Sequence, residues 1–500
     1  MKEALSSFLN MLQDSFLNKN HKDENITDNA EKAYRSGNYK EAFRLYKEAC
    51  DKGYMPACYN LAIFYRKGQG VEEDLSKAVE LYRKACNGGV VQGCYQLGMA
   101  YLNGKGIKKS YTKAFEVFEK LCNEGYMPGC YQVGLLYKNG KGVEHNPRSA
   151  FKFFQKACEN GYAPACYEVA LSYKYGSGTD ENKRRAIEFY KEACNKGYAV
   201  ACYELGILYE KGDGVVQNLL KMLELFERAC EGGYSVACYE LALIYEDDHI
   251  VNRDYKKAIE LYHKACNGGY GPACYNLGLI YEEGRGVQKN LSMAADLFIK
   301  ACEGNDIDAC LILGSLYYIG DGVEQDYKKA AELFEKVCKA GNMEGCLALG
   351  ELYMKGVGVE QDYKKAFELF KIGAQEGKPE AMYELGILYR DGKGVEQNYQ
   401  KAVAYLSNAC QDDIGEACTQ LGLLYKDGKG VEKDYEKAIE LFEKGIKDDD
   451  PEAYFHLGVM YLNGVGVIQD YVRAKDLFYK ACKKDFKRAC NAYKILEEDE

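Results

Sequence analysis

SYTKAFEVFEKLCNEGYMPGCYQVGLLYKNGKGVEH, Ser110–His145, is the stretch that decides the fold. In its first half Tyr111, Ala114, Phe115, Phe118 and Cys122 fall at i, i+3, i+4, i+7 and i+11, the single apolar stripe of an amphipathic helix. Ser110 precedes that stripe, where a side-chain oxygen can satisfy free N–H groups of the first turn. The second half predicts another helix that stops at Gly140-Lys141-Gly142, since glycine supplies the positive φ that ends a helix and reverses the chain. The unit is therefore a helix pair, B followed by A.

Outward from this stretch the pattern repeats every 36 residues. Cys50, Cys86, Cys122, Cys158, Cys194, Cys230, Cys266, Cys302, Cys338, Cys410 and Cys482 lie on one grid, with Ala374 and Ile446 at the two places without cysteine. No insertion or deletion interrupts it, as expected when every unit must dock on its neighbour. Twelve residues before each grid point stands a cap former: Asn38, Asp74, Ser110, Asn146, Asn182, Asn218, Asp254, Asn290, Asp326, Asp362, Asn398, Asp434 and Asp470. Helix A is clearest in Ala201–Glu210, with Ala201, Leu205, Gly206 and Tyr209 inward. Only glycine or alanine occupies the Gly206 place in the other units; mid-helix glycine costs about 1 kcal/mol, which predicts a close approach by helix B. Tyrosine fills the Tyr209 place in twelve units, a ladder read as structural rings with hydroxyls at a rim. One turn departs, Asp248-His249-Ile250, and should differ locally.

All 22 cysteines form pairs eight positions apart: Cys50 with Cys58, Cys86 with Cys94, Cys122 with Cys130, Cys158 with Cys166, Cys194 with Cys202, Cys230 with Cys238, Cys266 with Cys274, Cys302 with Cys310, Cys338 with Cys346, Cys410 with Cys418 and Cys482 with Cys490. Each pair brackets the turn from B to A, at similar heights on antiparallel neighbours, which suits a bridge. Units lacking one cysteine lack both, since Ala374 goes with Met382 and Ile446 with Tyr454, and this favours covalent pairing. Buried free thiols, metal sites and redox pairs are the competing readings. Bridges persist in oxidising compartments.

Composition narrows the function. A net charge of −10 argues against nucleic acid or anionic lipid as main partner. No apolar run approaches the roughly 20 residues that span a bilayer. Residues 1–28 read as an N-terminal amphipathic segment (Leu5, Phe8, Leu9, Leu12, Phe16) and a polar linker, 29–495 as the repeat array with capping ends, and 496–500 as an acidic tail. Asn10, Gln13 and Asp14 interrupt the first segment, so no secretory signal is read there.

The unit A-C-Y-x-L-G-x-x-Y-x-x-G-x-G-V followed by D-Y-x-K-A-x-x-L-F/Y-x-x-A-C resembles the Sel1-like repeat, a relative of the tetratricopeptide repeat. With cysteines eight apart it resembles the Helicobacter cysteine-rich protein family. The resemblance implies an all-α, right-handed α/α superhelical solenoid, disulfide-stapled and exported from a bacterium. It also implies penicillin binding with weak β-lactamase activity, and for Sel1-like proteins more broadly an adaptor role.

Hydrolysis of a β-lactam needs an activated nucleophile or a metal-bound hydroxide. Ser110-Tyr111-Thr112-Lys113 matches Ser-x-x-Lys, but no Ser-Asp-Asn or Lys-Thr-Gly follows and Ser110 is a cap. His21, His145, His249, His263 and His456 are scattered and read as surface residues. No catalytic residue, metal or cofactor is assigned. The candidate binding row lies two past each second cysteine: Asn60, Gln96, Gln132, Glu168, Glu204, Glu240 and Asn276, continued by Ile312, Ala348, Glu384, Gln420 and His456. Changing polar residues on the concave side of a repeat array fit either a solvated face or a ligand-reading row. The expectation is a monomeric secreted or periplasmic scaffold for peptide, protein or cell-wall ligands, with a β-lactam or peptidoglycan fragment among them. A weak β-lactamase and a cytosolic adaptor with reduced cysteines are the alternatives. Glu168, Glu204 and Glu240 would prefer a basic segment.

Overall fold

Each B helix starts where its cap former stands. In the computed structural model, which describes residues 26–498, all thirteen cap side chains accept a first-turn backbone N–H. A representative B helix is Tyr111–Asn123 and its A partner is Met127–Asn139, which ends on Gly140 in the left-handed region at φ 62°. Every described element is helical. Packing divides the chain into two units, one ending at Leu241 and the other beginning at Ala242.

In the first unit the B stripe and the inner A face make the core. Ala114, Phe118, Leu121, Val133 and Leu136 close one layer of it. Burying a ring such as Phe118 contributes about 2–3 kcal/mol. The second unit repeats the arrangement with Ala366, Phe370, Leu385, Leu388 and Leu406. In both units the mid-A glycine is where helix B comes closest: a Cβ on Gly98 would lie 2.6 Å from Phe118 Cε1, and one on Gly278 2.6 Å from Phe298 Cε1. The tyrosine ladder is a packing device. Tyr137 meets Phe115 edge-on at 5.4 Å and stacks on Phe153 at 5.8 Å, while cations such as Lys365 over Tyr353 (4.9 Å) cover the outer rings.

Eleven disulfides join B to the following A, with Cα atoms 4.4 to 4.8 Å apart, and no described cysteine is free. In the first unit Cys50 is bonded to Cys58, Cys86 to Cys94, Cys122 to Cys130, Cys158 to Cys166, Cys194 to Cys202 and Cys230 to Cys238. In the second unit Cys266 is bonded to Cys274, Cys302 to Cys310, Cys338 to Cys346, Cys410 to Cys418 and Cys482 to Cys490. On the A side Cys58, Cys94, Cys130, Cys166, Cys202, Cys238, Cys274, Cys310, Cys346 and Cys418 are all buried, and Cys490, at the chain end, is half-buried. These sulfurs therefore fasten the core of the bridged helix pairs.

A cation from the next B helix often reaches the carbonyl of the first cysteine: Lys84 to Cys50 (3.1 Å), Lys156 to Cys122 (3.3 Å) and Lys336 to Cys302 (2.7 Å). Those carbonyls belong to the last turn of helix B, where a positive charge is favoured. The second glycine of the A-to-B turn presses on the preceding B helix, because a Cβ on Gly178 would lie 2.1 Å from the Pro147 carbonyl oxygen and one on Gly358 2.1 Å from that of Tyr327.

Two local expectations are corrected, and a third, that the Asp248-His249-Ile250 turn differs locally, is met. The polar linker does not reach residue 28: a helix covers 26–35, and Ile26 packs on the first core cluster. The last helix, Lys487–Glu498, continues past residue 495 into the acidic tail because Leu496 packs on the final cluster. At the Asp248-His249-Ile250 turn the A helix Ser235–Glu246 has 12 residues where Ala199–Lys211 has 13, since no glycine is present to form the left-handed cap. The amphipathic segment expected at Leu5–Phe16 lies outside the described residues.

Candidate functional site: the A-helix face

The row two past each second cysteine lies on the A helices and is less exposed than a solvated face would be. Glu168 and Gln420 are 8% exposed, and Asn60, Gln96, Gln132, Glu204, Glu240, Asn276 and Glu384 are half-buried. The reason is a pairing that the sequence reading missed. Successive A helices meet through rungs that link a row residue to the side chain thirty positions earlier. Lys138 donates to Glu168 at 2.7 Å, Lys174 stands 3.6 Å from Glu204, and Arg66 donates to Gln96 at 3.5 Å. In the second unit Arg390 donates to Gln420, whose amide donates on to Glu452 at 2.8 Å. Gln132 instead donates to the Tyr95 hydroxyl (3.2 Å), and Asn276 to that of Tyr262 (3.4 Å).

Two carboxylates of the row have no cation on their rung. Glu240 has Glu210 thirty positions before it, and burial first, Glu210 second, pushes its carboxyl above the usual range. Glu384 has Met354 there; burial and then Glu351 push it up to about 7. Tyrosines flank the row, and burial holds Tyr203 and Tyr383 up at about 12.

A second missed signal is a correspondence inside the units. Where the mid-A place is glycine, the facing B residue is phenylalanine, or Leu406 in one unit. Where it is alanine (Ala62, Ala170, Ala242) the B residue is tyrosine (Tyr82, Tyr190, Tyr262). The Tyr262 hydroxyl donates to Glu246 at 2.7 Å, whereas those of Tyr82 and Tyr190 are buried without a hydrogen-bond partner.

Catalytic chemistry finds no comparable assembly among the described residues. Ser110 Oγ accepts the Lys113 N–H at 3.4 Å as a helix cap. His145 and His249 are exposed, but His263 and His456 are half-buried, in contrast to the surface places expected for them: His263 lies 3.4 Å from the Tyr281 hydroxyl, and His456 lies 3.5 Å from Glu452 and stacks on Phe442. His21 is outside the described residues. Cys158, Cys166 and Glu192 gather with metal-ligand spacing, yet the sulfurs are bonded to each other and Glu192 pairs with Lys196 at 2.6 Å. The other such group, Asp247, Asp248 and His249, is an exposed surface turn.

No described helix is long and apolar enough to cross a membrane. Over 45 residues the chain is 49% identical to HcpE of Helicobacter pylori, a protein whose name carries a beta-lactamase label; the stretch is 9% of this chain and 13% of HcpE. Among solved structures it is similar to c5321, an antigen of uropathogenic Escherichia coli described as protective and as having an SLR fold, at 26% identity and TM-score 0.54, covering 90% of this chain and 97% of that one. Helicobacter pylori cysteine rich protein B matches at 37% identity over 27% of this chain and 96% of its own, with TM-score 0.22. The Sel1 repeat model matches thirteen successive segments from 32–54 to 451–486, so the chain belongs to the Sel1 repeat family.

Proposed function

We propose that this protein is a secreted or periplasmic Sel1-repeat scaffold that holds an extended peptide, from a protein or from cell-wall material, along its A-helix face. The observation that carries the reading is the contrast between a constant frame and a changing row. Caps, turn glycines and ladder tyrosines recur unit after unit, while the half-buried row runs through Asn, Gln, Glu, Ile, Ala and His. A row needed only for packing would keep one residue type. Amide and carboxylate groups at repeat spacing suit the backbone and side chains of an extended chain. Eleven bridges with no free described thiol favour an oxidising compartment.

The test is photo-crosslinking of peptides from periplasm and culture fluid to a benzoylphenylalanine at Gln132, against one at exposed Glu116 on a B helix. Adducts at Gln132 and few at Glu116 are expected; equal labelling would remove the reading. Thiol counting on natively isolated protein tests the compartment: no reactive thiol is expected, and a full set of 22 would place the chain in a reducing one.

A further inference from the structure

One bridge differs from the other ten in exposure. At Cys482–Cys490 both cysteines are half-buried, whereas in every other bridge the A-side cysteine is buried. The same bridge differs in charge. Its loop, KKDFKRA, sets Lys483, Lys484, Lys487 and Arg488 against one acid, Asp485. The next most basic loop, NKGYAVA between Cys194 and Cys202, has one lysine, while EGNDIDA after Cys302 and QDDIGEA after Cys410 have three acids and no cation. Lys484 is paired with Asp449, and Lys483, Lys487 and Arg488 stand exposed. Lys487 and Arg488 share the first turn of the last helix, Lys487–Glu498, with Cys490; the first turns of the other bridged A helices contain no cation.

From exposure and charge together we infer that Cys482–Cys490 is a thiol–disulfide exchange site, modified by an anionic thiol, while the ten remaining bridges are inert structural bonds. The incoming thiolate attacks Cys482 Sγ and forms a new S–S bond there. The Cys482–Cys490 bond breaks, and Cys490 leaves with the electron pair as a thiolate. One thiolate is consumed and one released, so no outside oxidant or reductant enters. Cys490 is the leaving sulfur because the N-terminal turn of a helix and the adjacent Lys487 and Arg488 favour its anion. The exposed cations also draw in a negatively charged thiol. Buried sulfurs in acidic loops, such as those of Cys310 and Cys418, deny approach and repel the anion. The freed Cys490 thiolate restores the bridge by attacking Cys482 Sγ and expelling the thiol, which makes the modification reversible. The exchange is independent of what the A-helix face holds.

The experiment exposes the full oxidised chain to limiting glutathione, an anionic thiol, or to cysteamine, a cationic one, at matched thiolate concentration. N-ethylmaleimide traps released thiols and mass spectrometry maps both adducts. Glutathione should appear first on Cys482, with N-ethylmaleimide on Cys490, roughly tenfold ahead of every other bridge. Cysteamine should react severalfold more slowly there. Combining Lys483→Gln, Lys487→Gln and Arg488→Gln should cancel the advantage of glutathione, and Lys328→Gln with Lys364→Gln, both exposed on B helices, should leave it. First adducts at another bridge, none at Cys482, equal rates for the two thiols, or an advantage that survives the triple substitution would each overturn the assignment.

Discussion

At Cys122–Cys130 the turn from helix B to helix A is bolted by sulfur, and at Ala374–Met382 and Ile446–Tyr454 it is not, yet the backbone follows one path. Tyr126 N donates to Leu121 O at 2.9 Å in the bridged turn, as Lys378 N does to Gly373 O and Asp450 N to Gly445 O at 3.0 Å. Gly125, Gly377 and Asp449 hold the same left-handed place at φ 85°, 79° and 67°. What differs is the residue before the grid point. The two unbridged units have glycine there, and a Cβ on Gly373 or Gly445 would come within 2.8 Å of the Ala381 or Ala453 methyl. Bridged turns with a larger residue on B, Leu121 or Val337, carry Gly129 or Gly345 opposite. Small-residue contact therefore shapes the turn in every unit, and the disulfide locks a shape that packing already provides.

The largest test of this comparison is complete reduction. In the chain-entropy model each eight-residue loop contributes about 2.5 kcal/mol, so the unfolding midpoint should drop steeply. Hydrogen exchange should rise at the bridged turns and stay unchanged at 374–382 and 446–454; a uniform rise would break the comparison. Next is Gly445→Val, which overpacks against Ala453 and Thr419 and should cost about 3 kcal/mol in chemical denaturation. Adding Ala453→Gly copies the Val337/Gly345 arrangement and should recover most of the loss. Ala374→Cys with Met382→Cys should close a twelfth bridge, seen as no gain in free thiols, and add about 2 kcal/mol. Failure to bridge would show that the two kinds of turn differ after all.

The smallest effect concerns Glu384, on the A helix that follows an unbridged turn. Its folded value, about 7, stands above the ordinary 4.5. The native state thus favours the protonated carboxyl, a stabilisation complete below about 4.5 and lost as pH rises through 7. Glu384→Gln should raise the unfolding free energy at pH 8 by about 1 kcal/mol and leave it unchanged at pH 4.

The repeat frame was legible because it obeys local rules: caps such as Asp434, the turn glycines and the Gly206 approach each follow from spacing along one chain segment. The rungs were not. Whether Glu168 faces water or Lys138 depends on how neighbouring A helices lie side by side, and no single helix carries that information. A signal did exist, since Lys138/Glu168 and Lys174/Glu204 stand at the same separation of thirty. The alanine–tyrosine correspondence was equally visible in the sequence and needed only a comparison of the units with one another. The end helices outran their expected limits because Ile26 and Leu496 are apolar residues in polar company, and packing decides such cases.

The second glycine of the A-to-B turns that carry one has a consequence for how such a chain can change its size. Gly178 rests on the Pro147 carbonyl of the helix behind it, so one added or missing residue would drive a methylene or a gap into that joint. Growth or shrinkage is therefore quantised: duplication or loss of a whole module leaves all joints as they were, and any other increment jams the stack. The reach of the protein is a digital quantity, set by counting modules.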